Sequence, residues 1–116
     1  MASVMLHEEE GDLESKMALT AAVMADKSRS RMLCALMDGR AWTATELSAV
    51  ADVSASTASA HLARLCEQHF VVALAQGRHR YFRLASAEIA ELLERLMGVA
   101  WATSPPRKIT TPLSLR

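Results

Sequence analysis

The stretch from Thr43 to Phe70, TATELSAVADVSASTASAHLARLCEQHF, constrains this chain more than any other, because it reads as two helices joined by a very tight turn. Thr43 followed three residues later by Glu46 is a capping-box spacing, in which each side chain satisfies an orphan amide at a helix start. Leu47, Val50 and Ala51 are expected to form the inner face of this first helix. Asp52 and Val53 make the turn, and Ser54 is a good N-cap for a second helix running to about His69. Ala58, Leu62, Leu65 and Cys66 follow a helical period and turn one stripe inward. That leaves Ser56, Thr57, Ser59, Ala60, His61 and Arg64 on the other faces. A solvated helix usually fills such positions with Lys and Glu, yet none occurs from Ser54 to His61. Small, hydrogen-bonding side chains suit close approach to another molecule, and the major groove of DNA admits such a helix.

Composition fits a helical domain around that stretch. A chain of 116 residues is one domain's worth, and 51% hydrophobic content suffices for a core shared among several segments. With only 4% aromatic residues, Met, Leu and Ala must do the filling, which favours helix-on-helix packing over a sheet sandwich. The net charge of zero hides an asymmetry. Glu8, Glu9, Glu10, Asp12 and Glu14 precede every Lys and Arg, so from position 15 onward 13 basic residues stand against 8 acidic ones. No apolar run reaches the roughly 18 residues of a membrane span and no signal-peptide pattern is present, so no membrane partner and a cytoplasmic location are expected. Cys34 and Cys66 lie far apart on apolar helical stripes and are expected to be buried, reduced thiols. The sharper alternative is a redox pair that reshapes the neighbouring helices.

Taken in order, residues 1–12 read as an acidic mobile tail, and His7 with Glu8, Glu9 and Glu10 as solvated charge rather than a metal cluster. Residues 13–102 read as one domain. Its first helix begins near Asp12 and repeats Leu13, Met17, Ala21 and Met24; a second starts behind Asp26 or Ser28, turns Met32, Leu33, Leu36 and Met37 inward, and stops at Gly39. After the paired helices, VVALAQGRHRYFRL changes to a strand period and predicts a β-hairpin, with Phe82 and Leu84 on one face, Tyr81 and Arg83 on the other, and Arg78, His79 and Arg80 gathered at the tip. A basic tip beside such a helix is a wing. Ser86 caps a last helix whose Ile89, Leu92, Leu93, Leu96, Met97 and Ala100 form a broad stripe, while Glu88, Glu91, Glu94 and Arg95 stay wet, Glu91 and Arg95 at pairing distance in sequence. One small domain does not need so wide a stripe. Leu13, Met17, Ile89, Leu92, Leu93, Leu96 and Met97 are therefore expected at the interface of a homodimer that pairs through its first and last helices. Residues 103–116 hold all three prolines and read as a linker or tail, as in a fragment of a longer protein.

Three stretches carry a resemblance that spans roughly residues 17 to 100. DKSRSRML resembles the D-P-T-R-x-R-I-L of ArsR-family winged-helix repressors, ATELSAVADVSASTASAHLARL resembles that family's helix-turn-helix with S-x-S-T-x-S-x-H-L, and GRHRYFRL resembles its wing ending G-R-x-x-Y-Y-R-L. The resemblance implies a mainly α winged helix-turn-helix with a small β-hairpin, a dimer with one recognition helix in each of two major grooves, and repression relieved by an inducer. Lys27 stands where the family usually has proline, Asp52 where the turn often has glycine, and Ala60 where a polar or basic residue is common. Metal-binding members carry a Cys-x-Cys pair in the first helix of the motif, or Asp and His ligands along the last helix. Here those positions read TELSAVAD and SAEIAELLERL, so no metal or other cofactor is expected.

The function expected is that of a sequence-specific DNA-binding transcriptional regulator, a repressor, acting on double-stranded DNA. Ser54, Ser56, Thr57, Ser59, His61, Arg64, Arg78, His79 and Arg80 are its candidate contacts; for His61, packing beside Leu62 competes with a phosphate or base contact. The inducer would be a small molecule or a redox signal. No phosphate loop, nucleophile elbow or paired carboxylates point to an enzyme. The alternative is a winged helix used as a protein-interaction platform without DNA.

Overall fold

The computed structural model describes residues 11–106, which form five helices and a small antiparallel sheet. In chain order these are α1 (Leu13–Met24), α2 (Lys27–Leu36), β1 (Trp42–Thr43), α3 (Ala44–Ala51), α4 (Ala55–Glu67), β2 (Val71–Gln76), β3 (His79–Leu84) and α5 (Ala87–Thr103). Every helix starts where a capping side chain allows it. Asp12 accepts from the Ser15 amide, Asp26 from Arg29, Ser54 from Thr57 and Ser86 from Ile89. Thr43 and Glu46 close the reciprocal capping box of α3. Of the two starts considered for α2, Asp26 is the cap. The acidic stretch at 1–10, with His7, and most of the proline-containing segment, from 107 on, lie outside the described residues.

Both helices of the central motif pack on α2. Met32, Leu33 and Leu36 of α2, Leu47 and Ala51 of α3, and Ala58, Leu62 and Leu65 of α4 are buried together, and Phe70, just before β2, with Val71 and Phe82 of the sheet closes the core. Asp52 makes the turn at φ 58°, the left-handed conformation that Asp tolerates better than most residues. The second helix ends two residues early, at Glu67, because His69 also adopts a positive φ of 62°.

The hairpin pairs Val71 with Leu84 through Gln76 with His79, around a two-residue turn of Gly77 and Arg78. Gly77 sits at φ 62°, which a turn with glycine in its first central position requires. The sheet has a third strand that the sequence did not reveal: β1 pairs with β3, Trp42 opposite Phe82 and Thr43 opposite Tyr81. Two residues are too few to display a strand period.

Three expectations need correction. Val50 is 40% exposed, because the two-turn α3 rests on its Leu47–Ala51 edge, and Val50 is turned about 100° away from Ala51. Cys34 is exposed rather than buried, since it stands about 200° around α2 from both Met32 and Leu36, and Cys66 is only half-buried. Arg40 pairs with Asp38, and His61 stands 3.6 Å from Asp26, but among the described residues Glu91 and Arg95 do not form the pair expected from their spacing.

Candidate nucleic-acid interface

The exposed side of α4 begins with a cluster of hydroxyls. The Ser54 oxygen caps the helix through the Thr57 amide, lies 3.2 Å from the Ser56 hydroxyl, and donates to Thr57 Oγ1 at 3.0 Å. Ser54 is thereby committed to building the helix start, while Ser56, Thr57, Ser59 and Ala60 are exposed. Arg64 is exposed one turn beyond. The face therefore presents short polar groups followed by one cation, with no long side chain in front of them.

Beside it stands the wing. From Ala73 to Arg80 the hairpin is exposed, and each strand face has its own ring contact. The Arg80 guanidinium lies 5.5 Å from the centroid of the Phe82 ring, and His79 meets Tyr81 edge-on with centroids 6.3 Å apart. Alternation along β3 puts Arg80 and Phe82 on the face toward α4, where Ser59, Ala63, Cys66 and Arg80 line a groove of about 260 Å³. A basic strand and a polar helix thus border one concave surface. Burial pushes the Cys66 thiol above its ordinary range, against the opposing pull of the Arg80 charge.

His61 is placed differently from its neighbours. Its side chain is 16% exposed, and it turns toward the start of α2: Nδ1 is 3.1 Å from Arg29 Nη1 and Nε2 is 3.6 Å from Asp26 Oδ2. Nδ1 is engaged by Arg29 and Nε2 faces Asp26, which favours a supporting role over a base contact. Sequence reasoning did not single out Asp26 and Arg29 for this purpose, since nothing in their local spacing points to His61, which lies 32 positions beyond Arg29.

The residues expected between subunits divide into two groups. Leu13 and Met17 are 75% and 66% exposed, and Leu92, Leu96 and Met97 are also exposed. Leu93, by contrast, belongs to the core of a single protomer, and Ile89 packs half-buried against it. Val99 and Trp101, which the sequence reading passed over, extend the exposed apolar surface of α5. None of the described helices is long and apolar enough to cross a membrane, and no group of three or more His, Cys, Asp or Glu among the described residues is placed to hold a metal ion.

Comparison with known proteins gives a consistent result. A family model described as bacterial regulatory protein, arsR family, matches residues 26–72. The HTH-type transcriptional regulator YdfF of Bacillus subtilis is 39% identical over 88 residues, which are 76% of this chain but only 39% of that protein. The HTH-type transcriptional regulator CmtR of Mycobacterium tuberculosis is 35% identical over 77% of this chain and 75% of its own length. The NMR structure of CMTR, a cadmium metal-sensor, superposes with a TM-score of 0.59. The homodimeric winged helix-turn-helix DNA-binding domain Mb0332 from Mycobacterium bovis superposes with a TM-score of 0.70 at 25% identity, over 76% of this chain and 81% of that one.

Proposed function

Because the chain belongs to the ArsR family of bacterial regulatory proteins, we propose that it binds operator DNA as a homodimer in the cytoplasm and represses transcription until an inducer releases it. The relatives described above bear the name of HTH-type transcriptional regulators, a class that acts by binding DNA rather than by catalysis. The observation that carries the proposal is the surface shared by α4 and the wing: exposed Ser56, Thr57 and Ser59, free of long side chains, beside a hairpin carrying Arg78, His79 and Arg80. A helix with such a face can lie close to base edges while the basic hairpin reaches phosphates, which position the protein without reading sequence. Arg64 would add a cation at the far end of the helix. Ser54 serves mainly by holding the hydroxyl cluster in place.

The dimer would use Leu13, Met17, Leu92, Leu96 and Met97, exposed apolar side chains on α1 and α5 that one protomer leaves uncovered. Homodimerisation of the Mycobacterium bovis domain supports that reading. The inducer is assigned to small-molecule or redox chemistry rather than to a transition metal, since neither α3 nor α5 offers a thiolate or imidazole.

The test is selection of duplexes from a random pool with the purified chain, followed by titration of the selected duplex at several salt concentrations. Affinity should fall steeply with salt, with a log–log slope near −0.9 for each phosphate neutralised. Failure to enrich any sequence, or binding indifferent to salt, would favour a protein-interaction platform instead.

A further inference from the structure

Where α1 ends, its final carbonyls lack the full set of helical partners, although the Ala25 amide still donates to Ala22 O. Side chains from the first turn of α2 reach three of these carbonyls. Arg29 donates from Nη2 to Ala22 O at 3.2 Å and from Nε to Val23 O at 2.7 Å, and the Ser30 hydroxyl donates to Met24 O at 2.7 Å. The remaining arm of the guanidinium, Nη1, reaches 3.1 Å from His61 Nδ1 in the middle of α4. Arginine has donors only, so this contact is a hydrogen bond when Nδ1 is bare and the ring proton is on Nε2. Nε2 faces Asp26, whose carboxylate caps α2 by accepting from the Arg29 amide at 3.0 Å. One arginine therefore ties together the end of α1, the start of α2 and the centre of α4.

We propose that Arg29 and His61 are positioning residues for DNA recognition, a joint that fixes the angle of α4 against α1. This rests on the reading of α4 as the recognition helix. His61 follows Thr57 by one helical turn, so a ring held by Arg29 sets the rotation and depth at which Ser56, Thr57 and Ser59 are presented. Because α1 also carries the exposed Leu13 and Met17, the joint passes the placement of the apolar helix directly to the DNA-facing one. A contact of this kind affects choice of sequence more than general affinity, since the wing arginines stand elsewhere.

The experiment compares the duplex selected from the random pool with an unrelated duplex of equal length, by fluorescence anisotropy, for the full chain and four variants. His61→Ala removes the acceptor, whereas His61→Asn replaces Nδ1 by an amide oxygen in nearly the same place. Arg29→Lys keeps the charge but carries its donors on a single nitrogen, which cannot span the three acceptors that Nε, Nη1 and Nη2 reach separately, and the double variant joins His61→Ala to Arg29→Lys. Discrimination should fall roughly tenfold in each of His61→Ala and Arg29→Lys, by about the same factor in the double variant, and by no more than about twofold in His61→Asn. Binding to the unrelated duplex should stay close to wild type. Losses that multiply in the double variant, or a His61→Asn protein as defective as His61→Ala, would overturn the proposal. Should Arg29→Lys not fold, the two His61 variants decide it alone. Absence of salt-sensitive binding by the wild type to any duplex would count against DNA recognition itself, a result distinct from failure of the joint.

Discussion

Asp52 and His69 show how far single positions shape this chain. Both are non-glycine residues at positive φ, one between the two helices of the motif and one between α4 and the wing. A β-branched residue resists the left-handed region most, so Asp52→Val should cost about 1–2 kcal/mol in thermal or denaturant unfolding, whereas Asp52→Gly should cost little or nothing. Equal losses in the two would mean that the side chain, not the backbone, matters there. The carboxylates that cap and bridge give a second expectation. The Asp12 carboxyl is held below its ordinary range by hydrogen bonds from Ser15, that of Asp26 by the Arg29 amide, and that of Asp38 by the amide and side chain of Arg40. A depressed folded-state value means that the unfolded chain takes up the proton first. The stabilisation is therefore complete above the ordinary range, about pH 4, and is lost as pH falls below it. Thermal midpoints measured down a pH series should drop there, and the drop should be shallower in Asp26→Asn.

Among the elements, helix and wing have separable work. Arg78→Ala and Arg80→Ala should weaken binding to every duplex alike, because phosphate contacts carry no sequence information. Ser56→Ala or Thr57→Ala should cost about 1–3 kcal/mol on the selected duplex and much less on an unrelated one. Uniform losses from both sets would remove this division. The arrangement of Arg80 over Phe82 also places one wing cation on the side facing α4, whereas His79 meets Tyr81 edge-on on the opposite face. The strand β1 matters here as well, since Trp42 opposite Phe82 ties the base of the wing to the residue just before the α3 capping box.

For the whole molecule, the decisive feature is apolar surface that one protomer cannot cover. In α5 the segment from Leu96 to Ala102 contains no charged residue, and Leu96, Met97, Val99 and Trp101 are exposed. Met97→Glu is the informative substitution, because Leu93 is already inside the protomer core and changing it would disturb folding first. The variant should sediment as a monomer and lose affinity for the selected duplex while keeping its helical content, since an unpaired charge would be buried only on association. A dimeric, DNA-binding Met97→Glu protein would put the interface elsewhere. Addition of micromolar zinc, cadmium or arsenite to the reduced protein should leave DNA affinity unchanged, because a tight site of this type needs about four well-placed donors. A large reversible loss with stoichiometric metal would refute that assignment.

What the sequence determined by itself was local: a helix start near Asp12, caps at Thr43, Ser54 and Ser86, the turn at Asp52, the hairpin around Gly77, and the inward stripes of α2 and α4. Each depends on neighbours within one or two helical turns or across one short turn, so residue type and spacing carry the information. The small-residue face of α4 and the basic wing were legible for the same reason. Tertiary structure alone decided contacts between distant segments. It brought Arg29 to His61, paired Trp42 with Phe82, drew Leu93 into the protomer core, and left Val50 and Cys34 outside. A helical stripe shows which side chains share a face, but how much of that face is covered depends on the width and angle of the elements packed against it, which no local spacing specifies.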